Sequence, residues 1–232
     1  YTELTTVVRQ QQESGILYNA TLVRQLINEM EYGPDAIDLQ DLQLEVSQFE
    51  DVERISGGEL IEKISDAYGK YDEDETVILC RSNRRAIKYN LGIRSTVQFK
   101  EEKLVRDDKL MIVKNCYQFL EEIPELDFIA NGDVARLEKI GKYEERYGLK
   151  FASATLSFGD YNNVEIDAKI ILDTLSSVTP ALDQEQHRML FEGVYADYEH
   201  IKTKKKRMDA VREDIYFNAL QIKYAAAITG HK

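Results

Sequence analysis

No apolar run in the 232 residues approaches the length of a membrane span, and no charged-then-apolar leader pattern occurs. The expectation is a protein without a membrane partner. Cysteine is scarce: Cys80 and Cys116 are the only two. Two thiols make neither a disulfide framework nor a zinc site, so a reducing cytoplasm is expected. Basic charge is also short, with 30 Lys and Arg against 42 Asp and Glu, a net charge of −12. Bulk charge thus argues against non-specific nucleic-acid binding, and contact with a polyanion must come from a local patch. Several catalytic signatures are missing. No Gly-x-x-x-x-Gly-Lys-Ser/Thr loop, no Gly-x-Gly-x-x-Gly after a strand, no His-Glu-x-x-His, no Cys-x-x-Cys and no Gly-x-Ser-x-Gly occurs. The chain carries no visible catalytic engine of its own.

What is present first reads as alternating strands and helices. Leu4–Val8 has strand composition. Ser14 suits a helix N-cap, and Ile16, Ala20, Val23, Ile27 and Met30 step along one helical face until Gly33-Pro34. Leu42, Leu44 and Val46 alternate as in a half-buried strand. Leu60, Ile61, Ile64 and Ala67 mark a helix stopped at Gly69. Thr76–Cys80 reads as a buried strand, with a helix starting near Asn83. This is α/β grammar and implies a parallel sheet.

From about residue 106 the pattern changes. Leu110–Val113 and Phe128–Ala130 read as strands, Asn131-Gly132 as a hairpin turn, and 152–158 and 164–170 alternate. Short strands joined by tight turns indicate a small antiparallel barrel or sheet. Helices return with Phe191, Val194, Tyr198 and Ile201, then Met208, Val211 and Ile215. The apolar run Ile222–Ile228 reads as one buried strand closing the chain. The organisation expected is an α/β domain over 1–105, a β-rich insertion over 106–175, and a return through 176–232 to the first sheet. The final strand stops without a turn or cap, which leads to the expectation of a piece cut from a longer protein.

Three polar clusters follow strands: Arg9, Arg81-Ser82-Asn83, and Thr229-Gly230-His231-Lys232. In open α/β sheets ligands sit at the carboxyl ends of strands, so the clusters are expected to converge on one rim. Each has a plainer reading beside the functional one. Arg9 is either a solvated arginine or a fork on a terminal phosphate. Arg81-Ser82-Asn83 either caps the next helix or contacts phosphate or base, with Arg84, Arg85 and Lys88 making that helix start basic. The run from Lys202 to Arg207 reads as a solvated helix connector rather than a nucleic-acid patch. Lys109, Lys114 and Arg136 are a stripe or plain surface. Tyr117 and Phe119 suit core packing better than base stacking.

Five stretches in order, Val8-Arg9-Gln10, Thr76–Asn83, Asp108–Asn115, Ile129–Val134 and Tyr224–Lys232, resemble the carboxyl half of RecD-like superfamily 1 DNA helicases, relatives of the exodeoxyribonuclease V alpha subunit. The resemblance implies a RecA-like (P-loop NTPase type) second motor domain without its own phosphate loop, carrying an inserted SH3-like barrel. It implies that Arg9, the catalytic residue, lies near the ATP γ-phosphate with Gln10 and Gly230 also near nucleotide. It further implies that Arg81, Ser82, Asn83, Thr229, His231 and Lys232 approach single-stranded DNA. ATP and Mg2+ belong to the full-length protein, with neither expected on this piece. The other implied partners are an absent amino-terminal RecA-like domain and nuclease or repair subunits. Asp107 stands where the family usually has Gly, Gly230 holds a variable position, and residues 175–218 match no motif. On this reading the piece neither hydrolyses ATP nor unwinds DNA by itself. The alternative is a non-catalytic, helicase-like interaction module within a nuclease or repair complex.

Overall fold

In the computed structural model residues 14–32, 43–120 and 127–229 are described. The chain divides into two units, Tyr1–Glu62 and Lys63–Lys232. In the first, helix α1 (Gly15–Tyr32) starts where Ser14 accepts the Leu17 N–H at 3.3 Å, as expected of an N-cap. The Asp51 carboxylate supports the same helix start, accepting from the Ser14 hydroxyl at 2.7 Å and the Gly15 N–H at 2.8 Å. The Ser14 hydrogen bond holds the Asp51 pKa below its ordinary value. Two expectations fail here. Ile16, Ala20, Ile27 and Met30 are exposed rather than packed, and the buried positions are Gly15 and Asn19. Leu44–Val46 is no strand, because the Asn19 amide takes its backbone: Nδ2 donates to Glu45 O at 2.7 Å and Oδ1 accepts from Glu45 N at 2.8 Å.

Helix α2 (Leu60–Tyr71) buries Ile64 and runs through Gly69. Its stop comes at Asp72, which adopts the left-handed conformation (φ 61) that ends many helices. Strand β1 (Ile78–Cys80) leads into α3 (Asn83–Gly92), which continues into one π-helical turn at Ile93–Val97.

The second unit is built around a closed barrel of five strands: β2 (Lys109–Ile112), β3 (Val134–Arg146), β4 (Leu149–Phe158), β5 (Val164–Ile171) and β6 (Leu220–Tyr224). The alternation read in the sequence is the cause. Ala152, Ala154, Leu156 and Phe158 from β4 face Ile166, Ala168 and Ile170 from β5, with Leu110, Ile112, Leu137 and Ile222 closing the same interior. β3 and β4 outrun the barrel and turn at Tyr147-Gly148, both at positive φ (53 and 72), the geometry a two-residue hairpin turn needs. Their projecting arms pack Leu149 and Phe151 against Leu190 and Val194 of α4 (Gln184–Asp197) and Val211 of α5 (Lys204–Glu213). Phe128–Ala130 supplies only an isolated bridge, Ile129 to Cys116. Asn131-Gly132 does turn the chain, with Gly132 at φ 104.

The closing run is two strands instead of one. β6 completes the barrel, antiparallel to β2 and parallel to β5, whereas β7 (Ala227–Thr229) pairs in parallel with β1. Asn90 of α3 explains the break. Its buried Nδ2 donates to Tyr224 O at 3.0 Å and Ala227 O at 2.8 Å, and its Oδ1 accepts from Ala227 N at 2.7 Å. One side chain thereby satisfies the backbone on either side of the step from barrel to sheet. α3 is anchored at its other end by Arg94, buried against Asp108 and lying 4.5 Å over the Tyr224 ring.

Among the described residues the parallel sheet has two strands, β1 and β7, backed by α3. The expected burial of Thr76–Cys80 is only partly realised. Cys80 is buried, but Leu79 is 72% exposed because α3 covers one face alone. No described helix is long and apolar enough to cross a membrane.

Candidate functional site

The carboxyl ends of β1 and β7 lie side by side because the strands are parallel and in register, Cys80 opposite Thr229. The residues just after β1 therefore meet the end of β7. Ser82 caps α3, its hydroxyl accepting the Arg85 N–H at 3.4 Å, so its plainer reading is realised. Asn83 is the first residue of α3. Its Oδ1 accepts the Thr229 hydroxyl at 3.1 Å, joining positions 146 apart in sequence. Two of the three polar clusters thus share one edge.

Arg81, Arg84, Arg85 and Lys88 are exposed around this helix start and have no ion-pair partner among the described residues. They add to the positive end of the helix dipole, which makes a local field for an anion in an otherwise acidic chain. Arg9, Gln10, Gly230, His231 and Lys232 lie outside the described residues.

Two features of this edge were not read as site residues. The segment after β5 passes over it: Asn83 Nδ2 donates to Val178 O at 3.2 Å. Beside it, Lys223 Nζ donates to Ser177 O at 2.6 Å. Lys223 sits opposite Met111 in the β2–β6 ladder, between inward-facing Ile222 and Tyr224, so it points out of the barrel. There it lines a small cleft with Asn83, Asn90, Met111 and Thr229. Burial pushes its ammonium below the usual lysine range. The signal was present: Lys223 is the one charged residue in the run Ile222–Ile228.

Other candidates resolve into structure. Lys109 donates to Glu73 O at 3.0 Å and lies 3.5 Å from the Asp74 carboxylate, which Arg136 also contacts. Acidic residues after α2 therefore neutralise Lys109 and Arg136, while Lys114 is exposed and has no ion-pair partner among the described residues. The connector expected over 202–207 is helical from Lys204 onward, where α5 begins. Arg207 lies 3.7 Å over the Tyr195 ring and donates from Nε to Tyr195 O at 2.8 Å. Phe119 packs on the barrel core as expected, but Tyr117 is 70% exposed, stacked on Phe128 at 5.4 Å.

Among the described residues no three acidic, thiol or imidazole groups converge to hold a metal ion. Asp107, where the resemblance expects Gly, has φ 66, a conformation that favours glycine. No protein-family model matches the chain, and no curated protein matches it.

Proposed function

We propose that the β1–β7 strand ends are the single-stranded-DNA-contacting edge of a RecD-like helicase motor, whose RecA-like second domain and SH3-like barrel this chain supplies. The observation that carries the proposal is the Thr229–Asn83 hydrogen bond, which unites two segments that the helicase resemblance assigns to DNA contact. The chemistry is consistent with a phosphate backbone as ligand. Asn83 keeps a second amide N–H beyond the one given to Val178, and the exposed Arg81, Arg84, Arg85 and Lys88 lie close to it along the chain. Contacts of this kind grip phosphates and sugars, so binding is tolerant of sequence and sensitive to salt.

In the full-length protein ATP and Mg2+ would lie between this domain and a preceding RecA-like one, with Arg9 stabilising charge on the γ-phosphate during hydrolysis. The DNA contact is tested by titrating the chain with a fluorescein-labelled oligo(dT) at low salt. The double substitution Asn83→Ala with Thr229→Ala should weaken binding several-fold. Affinity equal to that of the parent chain would overturn the proposal. In the full-length protein, Arg9→Ala should abolish ATP turnover while nucleotide binding survives, and undiminished turnover would refute that role.

A further inference from the structure

We propose that Lys223 and the Asn83 amide form a paired phosphate-holding site for single-stranded polynucleotide, occupied in this structure by the chain's own Ser177 and Val178 carbonyls. The inference rests on the reading of this edge as a DNA contact and adds a residue and a displaceable strap to it.

An ammonium is among the costliest groups to bury without a counter-charge. Lys223 is 8% exposed, yet no carboxylate pairs with it among the described residues. It donates to the neutral Ser177 carbonyl, which uses one of three N–H donors. A core position that needed only an aliphatic stem would not require this charge.

The second donor lies alongside. Asn83 Nδ2 reaches the carbonyl of the next residue, Val178, so two donors from different elements, α3 and β6, hold two consecutive peptide oxygens. Both donors line the same cleft as Thr229. A phosphodiester also presents more than one acceptor oxygen, and it adds a negative charge that a peptide lacks. The bond to Ser177 is already charge-assisted by the ammonium, but a carbonyl carries no counter-charge, whereas phosphate supplies the one that burial of Lys223 leaves missing.

The strap is locally held. The Ser177 and Thr179 hydroxyls bond one another, Thr179 donates to Ala181 O at 2.6 Å, and the Val178 side chain is 55% exposed. Loosening it should free both donors without removing either.

The test titrates the 232-residue chain with fluorescein-labelled oligo(dT) over a series of salt concentrations. Lys223→Met should weaken binding several-fold and flatten the slope of log K against log salt by about 0.7, the loss of one single-strand phosphate contact. Lys223→Arg should keep the parent slope. Ser177→Ala with Thr179→Ala should tighten binding several-fold at an unchanged slope. A Lys223→Met chain that binds with parent affinity and slope, while Asn83→Ala with Thr229→Ala still weakens binding, overturns this inference alone and leaves Lys223 as a loop cap. Should Lys223→Met fail to fold by circular dichroism, the strap variant decides, and no tightening there overturns the proposal. Absence of oligo(dT) binding by the parent chain at low salt overturns both this inference and the reading beneath it.

Discussion

In the barrel every strand has a neighbour on both edges, whereas among the described residues β1 and β7 have only each other. The barrel satisfies its backbone through its own ladder and fills its interior with side chains that are almost wholly buried. The β1–β7 pair has three residues to a strand and leaves Leu79 exposed. Its backbone and its ends are held by amide side chains, Asn90 at the start of β7 and Asn83 at its close. Stability is thus concentrated in one region and polar side chains that can exchange partners in the other.

Substitutions should separate the two. The largest effect is expected from Phe158→Ala in the fully buried barrel interior, a loss of about 3–5 kcal/mol by chemical denaturation. A much smaller loss would mean that the barrel is not the stabilising core. Asn90→Ala should cost less globally, about 2 kcal/mol, since it strands buried backbone groups at Tyr224 and Ala227. Its signature is local: amide hydrogen exchange should accelerate at Ala227–Thr229 while β4 and β5 stay protected. Uniform acceleration would show that the two regions unfold as one.

A third experiment uses pH. Hydrogen bonds from Tyr216 and Lys169 hold the Glu144 carboxyl well below its ordinary 4.5, at about 2. A depressed folded-state value gives stability that is present above the ordinary carboxylate range and lost as pH falls from 4.5 toward 2. Glu144→Gln should flatten the stability profile in that window, and an unaltered profile would remove Glu144 from the contact between the hairpin arm and Tyr216. The smallest effect is expected of Asp107→Gly, a stabilisation under about 1 kcal/mol from relief of its left-handed backbone. Destabilisation there would mean that the Asp107 side chain has a role of its own.

The same contrast governs what could be read without coordinates. Barrel strands β4 and β5 were legible because in-out alternation is a local signal, carried by Ala152–Phe158 and Val164–Ile170. The split of Ile222–Ile228 was not, because Ala225-Ala226 carries no turn residue and the cause, Asn90, lies 137 positions from Ala227. The strand read at Leu42–Val46 fails over its described part, Leu44–Val46, for a similar reason: the alternation is real, but the Glu45 backbone is claimed by Asn19, while Leu42 lies outside the described residues. At the site, the meeting of Asn83 with Thr229 followed from strand-end reasoning. Lys223 was visible as an odd charge, but its role depends on the Ser177–Val178 carbonyls, which no motif marked.

The most direct measurement is an amide chemical-shift map of the chain titrated with oligo(dT). The account predicts perturbations gathered at residues 81–84, 177–179, 223 and 227–229, with the hairpin arms at 143–151 silent. Shifts confined to the barrel arms, with the β1–β7 ends unmoved at saturation, would contradict it.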